Sequence, residues 1–154
     1  MTEERIPESL WRDIVDNVPI VSVDLIVRHD GGVVLGKRMN EPGRGEWFVP
    51  GGRVRKDERL DAAVHRVAEA ELGTDVTVER WLGAYEHHWE GCEFDDVATK
   101  HYLANGVVVR PRGDSVVPDD QHAELRTFWP PFPDLHPYVE AYLRDADLLA
   151  EPRD

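Results

Sequence analysis

A glycine pair followed by one amphipathic helix, residues 51–73, is the segment that most restricts the fold of this chain. At about 100° per residue, Leu60, Val64 and Val67 fall on one narrow stripe, which must pack against another apolar surface. The stripe continues into Glu71. An unpaired carboxylate there costs several kcal/mol, so Glu71 must pair with a buried arginine, bind a cation, or lie where the stripe leaves the core. A place in the frayed last turn is the remaining alternative.

The apolar segments around this helix predict the sheet that covers its stripe. They are rich in β-branched residues and are separated by turn-forming groups such as Asp30-Gly31-Gly32 and Pro50-Gly51-Gly52. The predicted strands are 20–28, 33–38, 47–49, 76–89, 99–110 and 124–129, and the predicted helices are 7–18, 58–72 and 138–149. Asp57 is the expected N-cap of the central helix, and Gly73 its end. We therefore expect an α/β (α+β) fold in which a mixed sheet lies between helices.

The overall charge excludes several classes of partner. The chain has 154 residues, 31 acidic and 18 basic, for a net charge of −13, which opposes binding to DNA or to an anionic membrane. This length predicts a single domain over residues 1–154. A charged N-terminus and the lack of a long apolar run predict a soluble, cytoplasmic protein. Only three basic residues are lysines, and the excess of carboxylates predicts a halophilic protein that stays hydrated at high salt.

Residues 37–66 reverse this charge locally. They contain eight Lys or Arg and five Asp or Glu, a net of +3, which leaves −16 for the rest of the chain. Arg53 directly follows the glycine pair, whose backbone can approach a ligand closely. This arrangement favours a site for a small polyanion such as a diphosphate. The alternative is a solvated helix face of alternating charge, which accounts for Arg55 and Arg59 better than for Arg53.

Several isolated polar residues admit two interpretations. Asp24 lies within an apolar strand, where it serves either a structural hydrogen bond or a site. His87 and His88 are adjacent in a strand and point to opposite faces, so we do not expect one metal ion to bind both. His122 lies on a polar turn, where a histidine is more often a surface residue than a catalytic one.

Residues 51–73 resemble the Nudix box of diphosphate hydrolases, Gly-x5-Glu-x7-Arg-Glu-U-x-Glu-Glu-x-Gly. The positions in register are Gly52, Glu58, Arg66, Glu71 and Gly73. Val67 and Ala70 replace two glutamates that in most Nudix enzymes hold Mg²⁺ and activate water. The resemblance implies the Nudix fold, a mixed β-sheet sandwiched between α-helices, with an altered metal cluster.

The wider pattern is similar to the GDP-mannose mannosyl hydrolase branch of this family. The segments WFVPGGRV, AELG and PDDQH occur in the same order within residues 18–129. This resemblance implies Mg²⁺-dependent hydrolysis of GDP-mannose or GDP-glucose to GDP and free sugar, by attack of water at the anomeric carbon with inversion. It also implies a homodimer. The alternatives are a conventional Nudix pyrophosphatase acting on another nucleoside diphosphate sugar, and a non-catalytic nucleotide-sugar sensor.

The same resemblance implies roles for individual residues. The implied ligands of Mg²⁺ are Glu71, Gln121 and the backbone carbonyl of Gly51. His122 is the implied general base for the attacking water, and Arg38 and Arg53 are expected to bind the diphosphate and to stabilise the leaving group. Three further residues match substrate-contacting positions, namely Asp24, Tyr102 and His87. The box arginine Arg66 is expected to orient Glu71 or another site carboxylate.

Overall fold

The chain folds as a mixed sheet flanked by helices, which confirms the predicted fold class. The computed structural model describes residues 6–113 and 124–150. The helices of this part are α1 (Glu8–Asn17), α2 (Leu60–Leu72) and α3 (Pro137–Asp145). The strands are β1 (Ile20–His29), β2 (Gly32–Lys37), β3 (Trp47–Phe48), β4 (Gly51–Arg53), β5 (Val76–Glu90), β6 (Thr99–Pro111) and β7 (Leu125–Phe128).

Strand β1 lies at the centre of the sheet. It pairs in parallel with β6 and antiparallel with β2 and β4, and the path across the sheet is β3-β2-β1-β6-β5. Strand β7 pairs with β2 outside this path. The β1–β2 hairpin closes through Asp30 and Gly31, which both have a positive φ, of 51° and 77°. This conformation suits the Asp-Gly turn that the sequence predicts.

Two apolar layers form because side chains of β1 alternate between the faces of the sheet. Val23 and Leu25 pack with the α2 residues Val64 and Val67 on one side. Ile26 packs with α3 and the aromatic side chains around it on the other side. The apolar stripe of α2 therefore covers one face of the sheet, as its spacing predicts.

The segment before α2 differs from the prediction in two respects. Gly51 and Gly52 do not form a break but belong to β4, where they pair with Asp24 and Val23 of β1. Asp57 does not cap the helix, because it lies in a left-handed turn with a φ of 66° and α2 begins at Leu60. The helix end is confirmed at Gly73, whose φ is 71°.

Within the described residues, none of the helices has the length and apolar composition needed to cross a membrane.

Candidate active site

A cleft of about 430 Å³ opens beside the central strand. Its walls come from β1 to β6, the C-terminal end of α2 and the N-terminal helix α1. The residues predicted for the site that line it are Asp24, Arg38, Gly51, Arg53, Glu71, His87 and Tyr102. The structure thus brings together residues that are up to 78 positions apart in the sequence. Gln121 and His122 lie outside the described residues.

The glycine pair serves close packing as well as the cleft. A Cβ on Gly51 would overlap the Asp24 carboxylate, and a Cβ on Gly52 would lie 2.9 Å from a methyl group of Val67. Any larger residue would therefore push β4 away from β1 and from α2. From the sequence we expected these glycines to serve ligand approach, and their role in packing was not predicted.

Glu71 lies at the point where the apolar stripe of α2 leaves the core. It is partly buried and lines the cleft, whereas Val67 and Val64, one and two turns earlier, are buried in the core. Val67, which stands at the first altered position of the box, packs against Gly52. Ala70, at the second, is exposed. Glu71 therefore lies at the edge of the core, which is one of the places that its position on the stripe allows.

Arg66 links helix α2 to strand β4 through hydrogen bonds. Its guanidinium donates two hydrogen bonds to the Glu58 carboxylate, at 2.7 and 2.9 Å, and one of 2.7 Å to the backbone carbonyl of Arg53. The hydrogen bonds from Arg66 hold the pKa of Glu58 at about 2. Two residues in register with the box, Glu58 and Arg66, therefore tie β4 to α2 and position the backbone that carries Arg53.

Arginine side chains form the cationic wall of the cleft. The Arg38 guanidinium lies 5.9 Å from the ring centre of Phe48 and 6.0 Å from that of Trp89, and its Nε donates a 2.6 Å hydrogen bond to the Pro42 carbonyl. The Arg53 guanidinium lies 5.5 Å from the Trp11 ring. Aromatic surfaces orient guanidinium groups while their N–H groups stay available to an anion.

A buried carboxyl group forms the floor of the cleft. Asp24 is 7% exposed and accepts a 2.7 Å hydrogen bond from the Tyr142 hydroxyl. Burial raises the pKa of Asp24 to about 7, although the Tyr142 hydrogen bond and the Arg38 charge both act to lower it. Gly106 permits this contact, because a Cβ there would lie 2.6 Å from the Tyr142 ring. Asp24 therefore serves a structural hydrogen bond and also faces the cleft.

His87 lies beside Asp24, with 3.8 Å between its Nδ1 and a carboxylate oxygen. Its ring stacks on Tyr138 at a centroid distance of 4.1 Å. Burial, followed by the positive potential of His136 and His88, lowers the pKa of His87 to about 4. Its Nε2 is buried and has no hydrogen-bond partner among the described residues. At neutral pH the imidazole is uncharged and keeps one ring nitrogen for a ligand.

Some residues of the site escaped sequence analysis. Trp11 falls within the predicted helix 7–18 and no role in the site was expected for it, yet it lines the cleft and its Nε1 donates a 3.0 Å hydrogen bond to Glu93. The hydroxyl of Tyr142 was also missed. The one available signal for Tyr142 was Gly106 within a strand of β-branched residues, which indicates close approach of another group.

Comparison with known proteins identifies the family. Residues 18–151 match the NUDIX domain. The chain is 53% identical over 143 residues to the low-salt glycan biosynthesis protein Agl8 of Haloferax volcanii, covering 93% of this chain and 92% of that protein. It is 39% identical over 67 residues to an ADP-ribose pyrophosphatase of Methanocaldococcus jannaschii, covering 44% and 40%.

The solved structures agree with this assignment. A MutT Nudix hydrolase from Burkholderia pseudomallei superposes with a TM-score of 0.65 at 28% identity, covering 82% of this chain and 97% of that one. A Nudix hydrolase from Nitrosomonas europaea superposes with a TM-score of 0.63 at 20% identity, covering 82% and 68%, which supports the fold. The chain therefore belongs to the Nudix hydrolase family.

Proposed function

We propose that this chain hydrolyses GDP-mannose or GDP-glucose to GDP and the free sugar, by attack of water at the anomeric carbon with inversion. The observation that carries this proposal is the replacement of two box glutamates. Val67 is buried against Gly52 and Ala70 is exposed, so Glu71 alone remains of the three glutamates that follow the box arginine. With fewer carboxylate ligands, the metal is better suited to stabilising a leaving group than to activating water.

The distribution of charge in the cleft supports a nucleoside diphosphate sugar. Arg38 and Arg53 offer planar donors for a diphosphate on one side. The floor holds Asp24, whose pKa burial raises to about 7, and His87, whose pKa burial lowers to about 4, so it carries little charge and suits hydrogen bonds to the hydroxyl groups of an uncharged sugar. Tyr102, which also lines the cleft, is a further candidate for contact with the substrate.

The oxygen donors at the end of α2 fit a hard divalent cation. Nudix hydrolases generally use divalent metal ions. We assign Mg²⁺ to Glu71, the Gly51 carbonyl and Gln121, since Mg²⁺ prefers oxygen ligands and keeps several waters. Gly51 and Glu71 both line the cleft, and Gln121 lies three positions before Glu124, which also lines it. When bound, the ion supplies charge stabilisation for the departing diphosphate.

His122 is assigned as the general base. It removes a proton from water while the water oxygen forms a bond to the anomeric carbon. The bond from that carbon to the diphosphate oxygen breaks, and its electron pair leaves with GDP. Arg38 and Arg53 stabilise the charge that develops on the leaving group. General base catalysis of this kind contributes roughly 10²–10⁴ in rate.

The Haloferax volcanii relative supports a role in sugar metabolism. Its name places that protein in low-salt glycan biosynthesis, and it covers nearly the whole chain. A hydrolase of GDP-sugars acts on the activated donors that glycan assembly consumes. A halophilic, cytoplasmic homodimer remains part of this proposal.

A panel of nucleotide sugars tests the function. Each is incubated with Mg²⁺ at high salt and the products are separated by chromatography. We expect GDP and mannose or glucose from the GDP-sugars, with His122→Gln lowering kcat by about 10²–10⁴ while nucleotide binding stays nearly unchanged. We expect Glu71→Gln to weaken the response to Mg²⁺. Turnover that is unchanged in both variants would show that the assigned site is wrong.

A further inference from the structure

A second group of metal-ligating side chains lies on the hairpin of β5 and β6, facing away from the cleft. His87 and Tyr102 line the cleft, and their neighbours His88 and His101 point the other way because side chains alternate along a strand. His88 pairs with His101 in the register of the two strands. Their rings stack with a centroid distance of 4.3 Å.

The backbone around His88 explains this close approach. The Tyr138 hydroxyl accepts a 2.9 Å hydrogen bond from the His88 amide and donates one of 2.9 Å to the His88 carbonyl. The backbone groups of His88 therefore point away from β6, so His88 and His101 form a non-hydrogen-bonded pair. In such a pair the opposed side chains of an antiparallel ladder come closest together.

Glu86 completes the group because residues two apart on a strand share a face. The ligand atoms of Glu86, His88 and His101 all lie within 4.8 Å of one another. The side chains of Glu86 and His88 are 75% and 65% exposed, so both can rotate. Because His88 stacks on His101, rotation of the exposed His88 ring out of the stack is the movement that would bring its nitrogen to the separation of about 3.3 Å that tetrahedral Zn²⁺ requires.

We propose that Glu86, His88 and His101 form a second cation site, selective for a borderline transition-metal ion of the Zn²⁺ class. His101 Nε2 is buried without a hydrogen-bond partner among the described residues. A metal ion bound by both imidazoles would give this nitrogen a partner. Two imidazoles and one carboxylate favour Zn²⁺, Ni²⁺ or Cu²⁺ over Mg²⁺, which prefers oxygen ligands only. The site fastens β5, the edge strand of the sheet path, to β6.

Titration of Zn²⁺ into the full-length protein, with excess Mg²⁺ present to fill oxygen-ligand sites, tests this proposal. We expect one Zn²⁺ per chain, with the ring resonances of His88 and His101 shifting together in NMR spectra. His88→Gln and His101→Gln should each lower the affinity by more than about tenfold.

His65→Gln is the matched control. His65 also contacts a carboxylate, at 2.6 Å from Asp75, but this pair is not part of a three-ligand group among the described residues. We expect this variant to bind Zn²⁺ as the parent does. His88 is an exposed side chain, so His88→Gln keeps the test valid even if His101→Gln unfolds. Equal Zn²⁺ affinity in the parent and in His88→Gln would overturn the proposal, and no substrate is involved, so this outcome is independent of the reaction proposed above.

Discussion

Two acidic side chains near the cleft show opposite electrostatic behaviour. Glu58 accepts two hydrogen bonds from Arg66, and this pairing keeps the pKa of Glu58 at about 2. Asp24 lies beside His87 without forming such a pair, and burial moves the pKa of Asp24 up to about 7 and that of His87 down to about 4. The charge of Glu58 is balanced by Arg66 within the protein, whereas Asp24 and His87 remain available for a ligand.

Asp24→Asn is the variant for which we expect the largest effect on activity. The amide keeps the size of the carboxyl group and can still accept a hydrogen bond from Tyr142, so we expect the fold to persist. Loss of the carboxyl group that we propose contacts the substrate should lower kcat/KM by about 100-fold. Steady-state kinetics with GDP-mannose, alongside thermal unfolding, measure both quantities. A variant with full activity would show that Asp24 is only structural.

Glu58→Gln is expected to lower stability more than activity. It removes a charged hydrogen-bond acceptor from Arg66 and should lower the free energy of unfolding by roughly 1.5–3 kcal/mol. Activity of the folded fraction should fall less than in Asp24→Asn, because Glu58 does not line the cleft and acts on it through Arg66 and the Arg53 backbone. Denaturant titration checks the first statement. Unchanged stability would mean that the pair contributes no net free energy.

The pH dependence of stability separates the two members of the Asp24–His87 pair. Below pH 7, protonated Asp24 favours the folded state, since its folded pKa lies above its unfolded value, so its contribution increases as pH falls toward 4. His87 has a folded pKa below its unfolded value, so its contribution is lost as pH falls from about 6.5 to 4. The two contributions oppose each other in the parent protein.

Denaturant titrations of Asp24→Asn and His87→Gln across this range, without metal or substrate, reveal each contribution. Relative to the parent, we expect Asp24→Asn to lose stability as pH falls from 6.5 to 4. His87→Gln should gain stability relative to the parent over the same range. If the free energy of unfolding changes with pH in the same way in all three proteins, the assigned protonation states would be contradicted.

Tyr142→Phe is expected to give a smaller effect. It removes the hydroxyl that donates to Asp24, at a cost of about 1 kcal/mol in unfolding free energy. Because this hydrogen bond favours the carboxylate, its loss should raise the pKa of Asp24 further. We expect the pH profile of kcat/KM to shift to higher pH. An unshifted profile would show that the Tyr142 hydroxyl does not affect an ionisation of Asp24 that controls activity.

The fold could be predicted from the sequence because its main determinants are local. The spacing of Val64 and Val67 defines the buried face of α2, and Asp30-Gly31 defines the first hairpin. The apolar stripe also singled out Glu71 as an unusual carboxylate, and a place at the edge of the core was one of the alternatives it left open. These features depend on periodicity and turn conformation, which neighbouring residues determine.

The chemistry of the cleft depended on contacts between distant residues, which no local pattern contains. The Tyr142 hydroxyl reaches Asp24 across 118 positions of sequence. The strand β4 was missed because its glycines look like a break, although pairing with β1 satisfies their backbone. Asp57 was a plausible cap by residue type, yet the turn that places Glu58 against Arg66 gives it a left-handed conformation. The resemblance to a family supplied the candidate residues of the site, and the structure supplied the burial and contacts that shift the pKa values of Asp24 and His87.

Hydrolysis of GDP-mannose in ¹⁸O-labelled water tests the central claim most directly, since the label marks the atom that water attacks. Mass spectrometry of the products locates it. The proposed reaction places the label in mannose and yields unlabelled GDP. Label in a phosphate group, with GMP and mannose 1-phosphate as products, would contradict the account and indicate conventional pyrophosphatase chemistry in the same cleft.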